Sequence, residues 1–122
     1  LADWTRMHIA LDIIGGFFGL IAVGSAFGKL TKNAQVMESM AHVKVPTSLV
    51  PVLALLEIAG AAGIVAGIWS KPLGVAAALG LAVFFVGAVL AHLRVKDALK
   101  NALPPIVLTV IAVAVLVLEL QR

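Results

Sequence analysis

Four apolar runs constrain this chain more than any other feature. They cover about residues 8–30, 48–69, 72–93 and 104–121. At ~1.5 Å per residue, helices over these runs reach roughly 27–35 Å, the thickness of a ~30 Å hydrocarbon core. Strands are excluded, because the runs are too long and do not alternate with period two. Composition agrees: 62% of the 122 residues are hydrophobic, only 12% are charged, and the mean hydropathy is +1.15. A soluble fold of this length exposes too much of its surface to hide that much apolar material. The sequence therefore predicts one all-α domain over residues 1–122. It is an integral membrane four-helix bundle, with a short amphipathic helix in the first loop.

The punctuation between runs sharpens this expectation. Ser48 is a plausible N-cap for the second run, with Pro51 in its first turn, and Trp69 closes it. The third run enters through Ser70-Lys71-Pro72 and leaves at His92-Leu93-Arg94. Pro104-Pro105 opens the fourth and is expected to block helix through the residues before it. The first run follows Arg6 and contains the small patch Gly24-Ser25-Ala26, but it is too long for a signal peptide and Asp12 interrupts it. It is expected to be retained, behind a polar leader of Asp3, Trp4 and Arg6; the opening Leu1 suggests a native start upstream or removed.

The first loop, about 31–47, places Val36, Met37, Met40 and Val43 at helical spacing between Asn33 and Pro46. A short surface helix capping the mouth of the bundle is expected there. That loop and the third carry Lys29, Lys32, Lys44, Arg94, Lys96 and Lys100, against Arg6, Lys71 and Arg122 on the other side. The bias puts the first and third loops inside, with Trp4 and Trp69 in the outer aromatic belt. Small residues recur four apart, at Gly15/Gly19, Gly24/Gly28, Gly63/Gly67, Ala76/Gly80 and Gly87/Ala91. Such spacing lets membrane helices approach closely, and Gly24, Gly28, Gly60, Gly63 and Gly67 are the expected packing positions.

Glu57 stands alone within the second run, roughly 9–13 Å from its inner end by the helical rise. A carboxylate at that depth costs about 2.5–3.5 kcal/mol on insertion scales and calls for a partner, a proton or a function. Lys29 ends the first run and His92 the third, both on the same side, and the long Lys29 stem can reach inward. Lys29, Glu57 and His92 are therefore candidates for a ligand or proton site, or for an ion pair that fixes helix register beside an interfacial histidine. Asp12 and Glu119, with Arg6 and Arg122, form a second set in the outer half, and His8 and His42 read as interfacial and unconnected.

Several chemistries are excluded or disfavoured. With no cysteine there is no disulfide, thiolate nucleophile, iron–sulfur cluster or attached c-type haem. One histidine and one carboxylate are too few for a metal, and no P-loop, dinucleotide motif or catalytic triad order appears, so neither metal, cofactor nor catalytic residue is assigned. The net charge of +3 lies in short loops, which fits membrane topology rather than nucleic acid.

Three segments together carry a resemblance. They are Gly24-Ser-Ala-Phe-Gly-Lys29-Leu30, then Leu55-Leu-Glu57-Ile-Ala-Gly60-Ala-Ala-Gly63-Ile-Val-Ala-Gly67, then Gly87-Ala-Val-Leu-Ala-His92-Leu-Arg94. In this order, with Pro46 in the intervening loop, the chain resembles the DoxX-like family of small four-helix bacterial membrane proteins, from about Ile9 into the fourth run. The matching positions are Lys29, Glu57, Gly60 and His92. The resemblance implies a bacterial cytoplasmic membrane and a link to subunits of membrane redox complexes, including thiosulfate:quinone oxidoreductase. It supplies no catalytic mechanism.

Three functions follow as expectations. The first is a non-catalytic accessory subunit that docks to other membrane proteins in a quinone- or thiol-linked complex. The second is a binding or redox protein for a lipophilic molecule such as a quinone, with Glu57 handling a proton and Lys29 and His92 orienting a polar head. The third is a small proton-coupled multidrug exporter, disfavoured because such exporters carry their carboxylate in the first helix.

Overall fold

The computed structural model describes residues 2–121, with side chains from 5 to 121. The side chains of Asp3 and Trp4, and all of Leu1 and Arg122, lie outside the described residues. Four long helices form the bundle: α1 (Ala2–Leu30), α3 (Val50–Ala66), α4 (Lys71–Arg94) and α5 (Leu99–Gln121), with the short α2 (Ala34–His42) between the first two. All four are long and apolar enough to cross a membrane, α3 when taken from Thr47 with the turn that leads into it. Helix α1 packs against α3 and α5, α3 against α4, and α4 against α5, closing a ring. At its centre Phe18 tilts against Phe85 with ring centroids 5.8 Å apart, packed with Leu11, Leu81, Ala112 and Val115. Outward faces are apolar too: Phe17, Leu20, Leu55 and Val83 are exposed, as lipid-facing residues must be.

Helix α2 follows the sequence pattern. The Asn33 side chain accepts from the backbone N–H groups of Gln35 (3.0 Å) and Val36 (3.3 Å), which satisfies two donors of its first turn. Helices α1, α2 and α4 all end at the same face of the bundle and by the same device. In each, a lysine adopts left-handed φ (Lys32 54°, Lys44 63°, Lys96 53°). The next residue then returns its N–H to a carbonyl five residues back: Asn33 to Gly28, Val45 to Met40, Asp97 to His92.

Three boundaries differ from the sequence expectation. Helix α1 begins at Ala2, so the polar leader is helical from there. Ser48 does not cap α3; a 3₁₀ turn over Thr47–Leu49 leads in, Leu49 holds the cap position, and Pro51 sits in the first turn, where its missing N–H has no intrahelical partner to lose. Helix α5 starts five residues before Pro104, and both prolines lie inside it. Asp97 carries this earlier start, since its Oδ1 accepts from the Ala98 N–H at 2.8 Å and from Asn101 Nδ2 at 2.8 Å. The carbonyls deprived of partners by the two prolines belong to Lys100 and Asn101, both exposed residues of the first turns.

A cavity under α2 and its polar end

The ring is not filled at the end that α2 covers. A cavity of about 500 Å³ lies there, walled by Leu53, Phe84, Ala88, Pro105 and Leu108 and roofed by Met40. Its polar lining comes from Ser25, Lys29, Ser39, His92 and Asn101. This volume falls in the range of small-molecule sites, which are mostly apolar with a few placed polar groups.

Lys29 and Glu57 form an ion pair between α1 and α3. Ser25, one turn before Lys29, completes a triangle: Lys29 Nζ donates to Ser25 Oγ at 2.8 Å, and Ser25 Oγ donates to Glu57 Oε1 at 3.2 Å. Spacing of four residues places Ser25 and Lys29 on one face of α1. Glu57 is 0% exposed and does not itself line the cavity, whereas Lys29 and Ser25 do. The ammonium also stands 5.9 Å from the centroid of the Phe84 ring, a cation–π contact from α4. An ammonium has three N–H donors; two are engaged by Ser25 and Glu57, and one is left for the cavity. Glu57 Oε2 has no hydrogen-bond partner among the described residues.

His92 lines the same cavity but does not touch this triangle. Its Nδ1 lies 2.7 Å from Asp97 Oδ2, while His42 Nε2 of α2 lies 3.0 Å from Asp97 Oδ1. The turn after α4 explains the contact, because the Asp97 N–H bonds the His92 carbonyl at 3.0 Å and so sets one side chain over the other. Hydrogen bonds from Asn101, then His92, and then His42 hold the Asp97 carboxyl well below the usual carboxylate range. His42, expected to be unconnected, thus ties α2 to the α4–α5 turn. Arg94 adds a second tie, donating to the carbonyls of Val43 (2.6 Å) and Lys44 (3.3 Å) beyond the end of α2.

Asp97 and Ser25 escaped the sequence reading. The signal for Asp97 was present, since an aspartate just ahead of a helical run is a start signal, but the two prolines displaced the expected start beyond it. Among the expected packing glycines, Gly60, Gly63 and Gly67 meet Leu81, Ala77 and Gly74 of α4, and Gly28 meets Val36 of α2. Gly24 is different: no heavy atom lies within 4 Å of where a Cβ would stand, so it faces outward. In the other half, Glu119 is buried against Gly74 and borders a small cavity of about 40 Å³ with Asp12.

The model of the DoxX-like family matches residues 13–115, a span that holds the cavity and every residue of its polar end. The chain belongs to the DoxX-like family. No curated protein and no solved structure matches it. This DoxX-like protein is a multi-pass membrane protein whose four apolar helices suit a lipid bilayer.

Proposed function

We propose that this DoxX-like protein binds one lipophilic molecule with a neutral, hydrogen-bonding head, such as a quinone, in the cavity beneath α2. The cavity itself carries the reading: apolar walls in the membrane-spanning region, ending at a lysine with a donor to spare. The ammonium is already neutralised by Glu57, so an anionic head gains little there, while a carbonyl oxygen gains a charge-assisted hydrogen bond. An accessory subunit that only docks to other membrane proteins has no need of such a space; nothing in the geometry favours that reading or an exporter. Under the charge bias of the loops, the α2 end faces the cytoplasm.

The test is titration of the protein in lipid nanodiscs with decyl-benzoquinone, followed by thermal unfolding and equilibrium binding. Saturable binding at one site, with a rise in unfolding temperature, is expected. Ala88→Phe, which fills the cavity from α4, should abolish that binding while leaving the helices intact. Binding that does not saturate, or that ignores Ala88→Phe, removes the proposal.

A further inference from the structure

His92 is the group at the polar end whose hydrogen-bonding character is set by a second residue. Its ring lines the cavity, and Nδ1 is committed to Asp97 Oδ2 at 2.7 Å. A carboxylate beside Nδ1 selects the tautomer with the proton on that nitrogen, which leaves Nε2 with a lone pair. Among the described residues Nε2 makes no hydrogen bond, which leaves its lone pair available to an occupant of the cavity. Lys29, lining the same space from α1, offers donors only. Beside Ser25, Ser39 and Asn101, the polar end therefore sets a fixed donor near an acceptor held in place by a second residue.

Building on the lipophile-binding reading above, we propose that His92 determines which head group the cavity takes. Its Nε2 accepts a hydrogen bond from a hydroxyl, so the preferred ligand is a neutral, phenol-type lipophile whose oxygen also accepts from Lys29. Asp97 is a positioning residue that fixes the His92 tautomer. The charged and titratable groups around this histidine are few. Asp97 bridges it to His42 of α2, and Asn101 of α5 bonds the same carboxylate. Lys29 and its partner Glu57 stand at the α1–α3 side. Arg94 is engaged with the carbonyls after α2, and Lys44, Lys96 and Lys100 are exposed. Asp97, held below the ordinary carboxylate range, is the ionised member of this cluster.

Two probes isolate the hydroxyl: 4-decylphenol, which donates and accepts, and 4-decylanisole, which only accepts. Both are titrated against the full chain in nanodiscs at about pH 8, above the ordinary imidazole range. The phenol should bind about five- to tenfold more tightly, the worth of one net hydrogen bond. His92→Phe, which has no acceptor, should bring the ratio close to one. Asp97→Asn should lower the ratio, with the ¹⁵N NMR signature of His92 changing from one tautomer to a mixture. A ratio near one in the unaltered protein overturns the role of His92 while leaving lipophile binding in place, and that comparison needs no variant to fold. Failure of both probes to bind removes the lipophile-binding reading and this inference with it.

Discussion

At the Trp69 end of the bundle α3 and α4 approach until glycine meets glycine. A Cβ on Gly67 would stand 2.6 Å from the Gly74 Cα, and one on Gly63 would stand 2.6 Å from the Ala77 Cβ. At the α2 end the same two helices, with α5, wall a cavity of about 500 Å³ through Leu53, Ala88 and Pro105. Membrane helices gain little from burying apolar side chains, since lipid is equally apolar, and must associate through close packing or polar contact. Close packing joins α3 to α4 at the Trp69 end, where Lys71 also donates to the Leu120 carbonyl at 3.2 Å, and polar contact dominates at the α2 end. Close packing leaves no room for a ligand; the polar ties of Lys29–Glu57 and His42–Asp97–His92 hold the other end together around a space.

The strongest way to break that contrast is to remove one member of the ion pair. Lys29→Met leaves a carboxylate that is 0% exposed without its counter-charge, and Glu57→Gln strands the ammonium. Each change should destabilise by about 3–5 kcal/mol, whereas the double change should recover most of it, because removing both charges also removes their desolvation penalty. Reversible unfolding in mixed micelles measures the cycle. A double change as damaging as the sum of the single ones shows that the pair is not what joins α1 to α3.

The α3–α4 contact at the opposite end should respond to volume. Gly67→Ala forces its methyl onto the α4 backbone and should destabilise by about 1–3 kcal/mol. Gly80→Ala, with nothing within 4 Å of the new carbon, should instead stabilise by about 0.5–1 kcal/mol through reduced chain entropy in the middle of α4. Neither substitution is at the cavity, so decyl-benzoquinone binding by the folded fraction should be unchanged in both. Weakened binding in Gly67→Ala means that the two ends are mechanically coupled.

These glycines also show how much the sequence reveals and where it stops. Length and hydropathy decide the four helices without ambiguity, and the depth of Glu57 against the end of α1 suffices to bring Lys29 to it. Asn33 and the spacing of Val36, Met37 and Met40 locate α2. A small-xxx-small repeat, by contrast, names a face of a helix and not its neighbour: Gly63 and Gly67 meet α4, while Gly24 and Gly80 face outward. Asp97 was hidden for another reason. The turn that folds it over His92 is ordinarily marked by glycine, and here the left-handed position is held by Lys96. The cavity leaves no local mark at all, since it arises where Leu53, Phe84, Ala88 and Leu108 from three helices fail to meet.

Acid should test whether α2 is held by its polar ties. The folded-state pKa of Asp97 lies below its unfolded value, so the stabilisation from its contacts is present above the unfolded value, about 3.9, and is lost only as pH falls through the lower folded one. Helix α2 should therefore stay docked from neutral pH down to about pH 4. Amide hydrogen exchange across Ala34–His42 and at Ala98 follows it, with correction for the intrinsic pH dependence of exchange. Asp97→Asn should raise exchange in α2 at every pH in that range. Early release of α2 in the unaltered protein, well above pH 4, means that the carboxylate is not its main anchor.

The smallest effect concerns strain, which is also confined to the α2 end. Among the described residues the only non-glycine positions with positive φ are Lys32, Lys44 and Lys96, and each closes a helix there. A side chain in this conformation costs roughly 1–2 kcal/mol, while glycine loses about 0.5–1 kcal/mol more chain entropy than alanine on folding. Lys96→Gly should therefore stabilise the protein by about 0.5–1 kcal/mol, visible as a small rise in unfolding temperature. The turn it relieves is the one that sets Asp97 over His92, through the Asp97 N–H to His92 carbonyl bond. If the strain is merely tolerated, the phenol-to-anisole preference stays as in the unaltered chain. If the preference shifts while stability rises, the lysine backbone is tuning the angle at which Asp97 meets the imidazole.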